Sequence, residues 1–208
     1  MSHQRYVIMA NGKGTRWGGH LGIPKQLIEI EGETLLRRIV RQVSETDPQA
    51  DIVISSSDHR HDTVGARRHE PERNEIELDR FVNELLVDDT CFLYGDTFYM
   101  DAAIQRIAAN EEDGIEFFGD ERSIVGVSVK DSRVMRVHLD IVREAYLTGH
   151  IDSCIGWQVY QSYEGQLGKP LNVNGNFTSV AGNVAGFNSP EDLRDFMDHM
   201  GLELENSN

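Results

Sequence analysis

The 208-residue sequence has only two cysteines and five prolines, and it has no run of eighteen uncharged apolar residues. Cys91 and Cys154 lie far apart and form no Cys-x-x-Cys pair, which excludes a disulfide framework and a cysteine zinc site. The missing apolar run excludes a membrane-spanning helix. The apolar run at residues 6–10 is too short for the core of a signal peptide, so we expect a cytoplasmic, reducing setting.

Basic side chains are scarce, since twenty Lys and Arg stand against thirty-five Asp and Glu, a formal net charge of −15. Such a chain repels nucleic acids and anionic membranes, and we expect neither as a partner. The first 28 residues differ, because they contain no acidic residue but do contain Arg5, Lys13, Arg16 and Lys25. This cationic island predicts a site for a small anion, although charge alone does not separate that from chance clustering.

The composition and length are typical of one globular domain, predicted to span residues 1–208. Apolar runs predict strands at residues 6–10, 26–31, 51–55, 90–94, 116–118 and 124–129. Apolar residues at helical spacing predict helices after residue 32, near 100–107, and over 79–86, 133–146, 151–163 and 190–200. The alternation predicts an α/β fold whose mostly parallel sheet is covered on both faces. Ligands of such sheets bind at the carboxyl ends of the strands, where we expect loops 11–25 and 95–98 to lie.

A glycine-rich loop follows the first predicted strand, with four glycines in residues 11–19. It is not a dinucleotide fingerprint, because Trp17 occupies the third small position, and it is not a Walker loop, because no Gly-Lys-Ser/Thr follows. Backbone N–H groups in such a loop can hold a polyphosphate or a base edge. Arg16 and Lys25 can neutralise charge on a phosphoryl group during transfer. The alternative is a surface turn with solvated cations.

The loop and its neighbours resemble the N-terminal signature of a known group of enzymes. Residues 9–16 (MANGKGTR), 24–27 (PKQL) and 32–36 (GETLL) resemble those of the nucleotidyltransferases in the GT-A-like nucleotide-diphospho-sugar transferase superfamily. The Gly-Asp at residues 95–96 and the segment 185–193 (AGFNSPEDL) resemble two later features of that family. Asn11 departs from the family, which usually has Ala or Gly there. Asn188 stands where many members have Asp and others Asn.

The resemblance implies a three-layer αβα, Rossmann-like fold with a mostly parallel mixed sheet. It also implies a magnesium-dependent transfer of a nucleoside monophosphate from a nucleoside triphosphate to a phosphorylated acceptor, releasing pyrophosphate. Arg16 and Lys25 would be catalytic, and Asp96 and Asn188 would hold Mg²⁺. The implied nucleotide-binding residues are Ala10, Asn11, Gly12, Lys13, Gly14, Thr15 and Asp96. The alternatives are that Asp96 is a turn residue and that Asn188 only precedes a capped helix.

The acceptor is less defined, and a sugar 1-phosphate, phosphocholine or a similar phospho-alcohol is expected. The short chain favours a small acceptor or a pterin cofactor. Candidates by position are Glu121, Lys130, Trp157, Tyr160 and Tyr163. Trp157, Tyr160, Phe117 and Phe118 could form an aromatic cage for a quaternary ammonium, but aromatic residues at helical spacing more often pack in the core or against the sheet, and core packing is the favoured interpretation. Backbone groups of residues 10–12 and side chains of residues 74–80 are candidates to contact the base, whose identity stays open.

Three other functions remain as alternatives: a molybdopterin-type guanylyltransferase, a GT-A glycosyltransferase and a nucleotide-binding module without catalysis. A glycosyltransferase would carry Asp-x-Asp, whereas residues 95–98 contain one Asp, and a non-catalytic module would be expected to lack Lys25 or Asp96. His59, His61 and His69 do not have zinc-site spacing, so we expect a solvated polar loop there. His20 is a candidate phosphate contact or a surface residue. A homo-oligomer is compatible with the sequence, which does not determine the oligomeric state.

Overall fold

A computed structural model describes residues 4–202 of the chain. These residues form five α-helices: α1 (Leu35–Thr46), α2 (Asp101–Ala108), α3 (Ser132–Leu147), α4 (Gly156–Tyr163) and α5 (Pro190–Met200). They also form eleven strands: β1 (Arg5–Met9), β2 (Glu29–Ile30), β3 (Glu33–Thr34), β4 (Asp51–Ser55), β5 (Arg67–His69), β6 (Thr90–Tyr94), β7 (Thr97–Tyr99), β8 (Ile115–Gly119), β9 (Ile124–Val129), β10 (Phe177–Ser179) and β11 (Val184–Gly186).

Seven strands build the central sheet, in the order β10-β8-β9-β6-β1-β4-β5. Only β9 among them runs antiparallel to its neighbours, β6 and β8, while the other pairings are parallel. The mostly parallel mixed sheet predicted from the alternation of strands and helices is therefore confirmed. Two further pairs, β2 with β3 and β7 with β11, are antiparallel ribbons beside the sheet.

Alternate residues of β1 divide the core into two layers. Val7 and Met9 pack with buried residues of α3, α4 and the segment 78–86. Tyr6 and Ile8 point the other way and pack with α1 and α2. This period-two alternation, with apolar residues on both faces, is what a doubly covered strand requires. The three-layer αβα arrangement implied by the resemblance is confirmed.

The last helix begins and ends where its sequence predicts. Ser189 Oγ accepts a hydrogen bond from the Asp192 N–H, and the Asp192 carboxylate accepts the Ser189 N–H, at 3.3 and 2.8 Å. Pro190 occupies the first turn, and Gly201 ends the helix with a φ of 65°. The reciprocal cap satisfies backbone donors that have no partner within the helix.

Two predicted helices are wrong in part. Residues 79–86 contain only the end of a 3₁₀ turn, Glu77–Arg80, followed by irregular chain. Their apolar residues are buried as expected, but the Asp79 carboxylate accepts backbone N–H groups of residues 75 and 76 and so fixes a turn there. Residues 151–155 form a loop, and α4 starts only at Gly156. The strands β5, β7, β10 and β11 have three residues each, too few for a periodic signal.

A third apolar cluster joins the glycine-rich loop to the C-terminal helix. It contains Trp17, Phe98, Phe187, Leu193 and Met197. Within residues 4–202, no helix combines the length and the apolar character needed to cross a membrane. The single domain over residues 1–208 stays a prediction, and its residues 1–3 and 203–208 lie outside the described part.

A buried carboxyl in β8 should make stability depend on pH. Glu116 is 5% exposed, and its Oε1 accepts a hydrogen bond from Thr178 Oγ1 at 2.8 Å. Burial raises the pKa of Glu116 above its ordinary value of 4.5, and the Thr178 hydrogen bond offsets this only in part. Because the folded state binds the proton more tightly, the stabilisation is complete below pH 4.5 and is lost as the pH rises through the folded pKa.

We therefore expect Glu116→Gln to stabilise the protein at pH 8 by on the order of 1 kcal/mol and to have little effect at pH 4. Thermal unfolding between pH 4 and 8 measures the difference. Glu111→Gln, at an exposed position, serves as the control. A stability gain for Glu116→Gln that does not change with pH would contradict this explanation.

Candidate functional site

Four loops converge at one edge of the sheet. Because β1, β4, β6 and β8 are parallel, their carboxyl ends lie at the same edge. The segments that follow them are the glycine-rich loop 11–19, residues 56–57, residues 95–96 and the turn 120–123. Loops from separate parts of the chain thus surround a common space, as expected for this topology.

Trp17 anchors the glycine-rich loop. Its side chain is 3% exposed, and its indole N–H donates to the Ile23 carbonyl at 3.0 Å. Its backbone N–H donates to the carbonyl of Gly14, whose φ of 59° favours glycine. Lys13, Thr15 and Arg16 remain exposed. The large residue that rules out a dinucleotide fingerprint therefore holds the loop while its cations face outward.

A second glycine, Gly95, allows β6 to turn against β1. Its N–H donates to the Met9 carbonyl at 3.0 Å. A Cβ atom at this position would lie 3.0 Å from the same carbonyl oxygen, so a larger residue would displace the turn. The next residue, Asp96, is thereby placed close to the start of the glycine-rich loop.

Lys25 and Asp96 form an ion pair that is largely shielded from solvent. Lys25 is 8% exposed and lies in the 3₁₀ turn Lys25–Leu27 after Pro24. Its Nζ contacts the Asp96 carboxylate, whose side chain is also mostly covered. The predicted catalytic lysine is thus paired with a predicted metal ligand.

Arg16 and Asn188 form a second pair beside the first. Arg16 Nη2 donates to Asn188 Oδ1 at 3.1 Å. Pairing of β7 with β11 brings Asn188 to this position, because it places Gly186 opposite Thr97. The Phe187 N–H then donates to the Asp96 carbonyl at 3.0 Å. The structure therefore brings together all four predicted catalytic and metal-binding residues.

Three adjoining cavities open at this edge. The central cavity, about 410 Å³, lies between the glycine-rich loop and residues 74–77 and 152–155. The arginine cavity, about 230 Å³, is lined by Arg16, Arg80 and Arg122. The glycine-loop cavity, about 450 Å³, lies between the loop and residues 56–61. The predicted site residues each line at least one cavity: Ala10, Asn11, Gly12, Lys13, Gly14, Thr15, Arg16, Lys25, Asp96 and Asn188.

Arg80 and Arg122 are site residues whose place the sequence did not reveal. Arg80 falls in the segment predicted to contact the base, but it lines the central and arginine cavities and forms an ion pair with Glu77 at 3.5 Å. Arg122 lies in a turn in which Asp120 Oδ1 accepts the N–H groups of residues 122 and 123, both at 2.8 Å. The sequence signal available for Arg122 is its position in a turn between two predicted strands, at the sheet edge where ligands of such folds bind.

The His-containing loop lines part of the glycine-loop cavity. The prediction that this loop is solvated is wrong for one of its histidines. His61 is 3% exposed, and its Nδ1 lies 2.8 Å from Ser56 Oγ. Burial lowers the pKa of His61. The Ser57 N–H and Oγ–H donate to Asn11 Oδ1 at 3.1 and 2.9 Å. Across residues 4–202 no group of three or more His, Cys, Asp and Glu side chains is placed to hold a metal.

The aromatic cage is wrong. Tyr160, Phe117 and Phe118 are buried in the core, and the Tyr160 hydroxyl contacts backbone groups of Asn174. Trp157 stacks on Phe177 with ring centroids 5.6 Å apart, although it also lines the arginine cavity. The favoured interpretation, core packing, is therefore correct for this set.

Two other acceptor candidates lie at the opposite edge of the sheet. Lys130, which follows β9, forms an ion pair with Asp89 at 3.2 Å. The Tyr163 hydroxyl accepts the N–H of Ile115 at the start of β8, at 3.3 Å. Glu121 lies at the exposed tip of the turn between β8 and β9. His20 packs edge-on against Trp17, with ring centroids 5.1 Å apart.

The predicted metal position offers one carboxylate and one amide oxygen. Asp96 and Asn188 both line the arginine cavity. Magnesium often binds through one or two protein oxygens and takes its other ligands from phosphates and water. The donor set fits that pattern, although each oxygen is engaged by a cationic side chain.

Asp79 holds the wall of the central cavity in place. Its Oδ2 accepts the N–H groups of Glu75 and Ile76 at 2.8 and 3.0 Å, and its other oxygen pairs with Arg143 of α3. Burial acts to raise the pKa of Asp79, but the hydrogen bonds from Arg143 and the two N–H groups outweigh it and lower the pKa. The resulting stabilisation is present above the ordinary pKa of 3.8 and is lost as the pH falls.

We expect Asp79→Ala to destabilise the protein by about 3 kcal/mol at pH 7, because it leaves Arg143 partly buried without its partner. The cost should shrink below pH 4. Urea unfolding at pH 7 and pH 3.5 measures both values. The control is Asp140→Ala, which removes an exposed carboxylate from α3, the helix that contains Arg143. Equal losses for the two variants would show that Asp79 has no such structural role.

Comparison with protein families connects this edge of the sheet to a known domain. The sequence model of the MobA-like NTP transferase domain matches residues 6–114, just over half of the 208-residue chain. The matched segment contains the glycine-rich loop, Lys25 and Asp96. A search of curated protein sequences finds no significant match.

Solved structures resemble the whole chain at low sequence identity. The structure of the CTP:phosphocholine cytidylyltransferase from Streptococcus pneumoniae aligns with 96% of this chain over 100% of its own length, with 15% identity and a TM-score of 0.61. The 4-diphosphocytidyl-2C-methyl-D-erythritol synthase from Anaerococcus prevotii covers 96% and 99%, with 13% identity and a TM-score of 0.58. The inositol-1-phosphate CTP transferase from T. maritima covers 98% and 99%, with 13% identity and a TM-score of 0.55. At these identities the likeness establishes the shared fold.

Proposed function

The chain belongs to the family of MobA-like NTP transferase domains, and from this premise we propose that it moves a nucleoside monophosphate onto a phosphorylated acceptor. The donor is a nucleoside triphosphate, and pyrophosphate is released. The observation that carries the proposal is the meeting of Arg16, Lys25, Asp96 and Asn188 beside the glycine-rich loop. A mere nucleotide-binding module would not need a shielded lysine and two metal-compatible oxygens in one place.

The glycine-rich loop is proposed to bind the triphosphate. Residues 12–15 line the central cavity, and successive backbone N–H groups of such a loop can donate to phosphate oxygens. Lys13 and Arg16 place positive charge at the exposed surface of the loop, and the mostly buried Lys25 adds a further positive charge. The nucleoside then occupies the glycine-loop cavity, where Asn11 is held by its hydrogen bonds from Ser57.

The arginine cavity is proposed to bind the acceptor. Arg80 and Arg122 can each donate two hydrogen bonds to a phosphate group, which suits a phosphorylated substrate. Trp157 and Phe187 provide an apolar wall for the remainder of the molecule. The volume of about 230 Å³ favours a small phospho-alcohol or sugar phosphate.

The reaction requires one bond to form and one to break at the α-phosphorus. An oxygen of the acceptor phosphate attacks in line, and the bond from the α-phosphorus to the bridging oxygen of pyrophosphate breaks. The attacking oxygen is already an anion, so no proton needs to be removed. Arg16 and Lys25 offset the repulsion between the two anions and stabilise the charge on the leaving pyrophosphate. A magnesium ion bound to Asp96 and Asn188 would supply further positive charge to the phosphates.

The direct test measures pyrophosphate release. Purified protein with MgCl₂ is given ATP, CTP, GTP, UTP or dTTP together with phosphocholine, polyol phosphates, sugar 1-phosphates or a pterin phosphate. We expect release that requires both one triphosphate and one acceptor. Release with a pterin phosphate and GTP alone would instead favour the guanylyltransferase alternative. Normal nucleotide binding without turnover on any acceptor would favour the non-catalytic module.

Two substitutions test the proposed residue roles. We expect Lys25→Met and Asp96→Ala each to reduce kcat/KM by about 10²- to 10³-fold. Both variants should remain folded, with a melting temperature several degrees lower, because each leaves one member of the shielded pair without its partner. Asp195→Ala, which removes an exposed carboxylate of α5, should retain full activity. A fully active Asp96→Ala enzyme would contradict the metal-binding assignment.

A further inference from the structure

A cationic side chain contacts each of the two oxygens that are proposed to bind metal. Lys25 contacts Asp96, and Arg16 donates to Asn188 at 3.1 Å. The two side chains proposed to bind phosphate are therefore not free, and neither are the two proposed metal ligands. A ligand that contacts these atoms therefore competes with a partner that is already in place.

The pair of Lys25 and Asp96 is the more constrained. Both side chains are largely covered, with 10% and 16% of their side-chain surface exposed. Separating an ion pair in such surroundings leaves one charge without a partner and with little water to compensate it. A triphosphate that draws Lys25 away thus exposes the Asp96 carboxylate, next to its own negative charge. A divalent cation that takes Asp96 leaves the Lys25 ammonium unpaired.

From these contacts we infer that Asp96 and Asn188 act as positioning residues for Lys25 and Arg16, and that nucleotide and divalent cation bind by a coordinated exchange of partners. The inference rests on the proposed function. When both ligands arrive, Lys25 moves its hydrogen bonds from the carboxylate to phosphate while the cation takes the carboxylate. Each ligand provides the partner that the other removes, so their binding is positively coupled.

Metal-free nucleotide binding tests this coupling without any turnover. Isothermal titration measures the Kd of each ribonucleoside triphosphate in EDTA and in excess MgCl₂, with no acceptor present. In the wild-type protein Mg²⁺ should tighten binding strongly. In Asp96→Asn, Lys25 loses its counter-ion and is free for phosphate, so metal-free binding should tighten by about tenfold and the effect of Mg²⁺ should nearly vanish.

Two further variants separate the exchange from simple charge repulsion. Asp152→Asn removes an exposed carboxylate that lines the central cavity, and it should change metal-free binding by less than about threefold. Asn188→Asp adds a carboxylate opposite Arg16, and it should weaken metal-free binding and increase the benefit of Mg²⁺. The gain in nucleotide affinity on adding Mg²⁺ should therefore be smallest in Asp96→Asn, intermediate in the wild type and largest in Asn188→Asp.

The reciprocal measurement follows the metal in the absence of nucleotide. We expect Lys25→Met to bind Mn²⁺ more tightly than wild type, as seen by electron paramagnetic resonance of the free ion, because Asp96 is then unpaired. Weaker or unchanged metal-free nucleotide binding in Asp96→Asn would overturn the inference, as would an equal shift in Asp152→Asn. These results leave pyrophosphate release unaffected as a test, so failure of the exchange is distinguishable from failure of the proposed function.

Discussion

The short antiparallel pairing of β7 with β11 is the constraint on which the site depends. Without it, Asp96 and Asn188 would belong to separate parts of the surface, because they are far apart in the chain. The pairing puts the Phe187 N–H on the Asp96 carbonyl and turns Asn188 toward Arg16. Three residues on each side are enough because Phe98 and Phe187 pack into the cluster around Trp17. A backbone ribbon and an apolar cluster together align a polar site.

The same arrangement gives three cations of the site oxygen partners within the cleft. An acidic protein with an exposed patch of cations would attract many anions without selection. Here Lys25, Arg16 and Arg80 each have an oxygen partner within the cleft. Binding must compete with these partners, so a ligand gains affinity only when it offers an arrangement of charges that replaces them. Selectivity thus comes from internal competition as well as from shape.

Local sequence patterns were sufficient where local interactions decide the structure. The cap at Ser189 and Gly201, the alternation in β1 and the glycine-rich loop are each defined by a few neighbouring residues. The segment 79–86 shows the limit, since its apolar spacing is helical but the hydrogen bonds of Asp79 and contacts with α3 determine its path. Burial of Tyr160 and His61 depends on which distant segments cover them, and no local pattern contains that information. The sequence does not predict the position of Arg122 for a related reason, because only the pairing of β8 with β9 shows where its turn projects.

The division of the lining residues along the chain has a consequence for divergence within such proteins. The residues that line the glycine-loop cavity all fall between positions 10 and 74, whereas most of those around the arginine cavity come after position 114. The two cavities thus draw largely, though not wholly, on different stretches of the chain. Mutation or recombination in the later stretch can reshape one compartment while the other is inherited intact. Under the proposed function, new pairings of donor and acceptor are therefore within reach of modest genetic change.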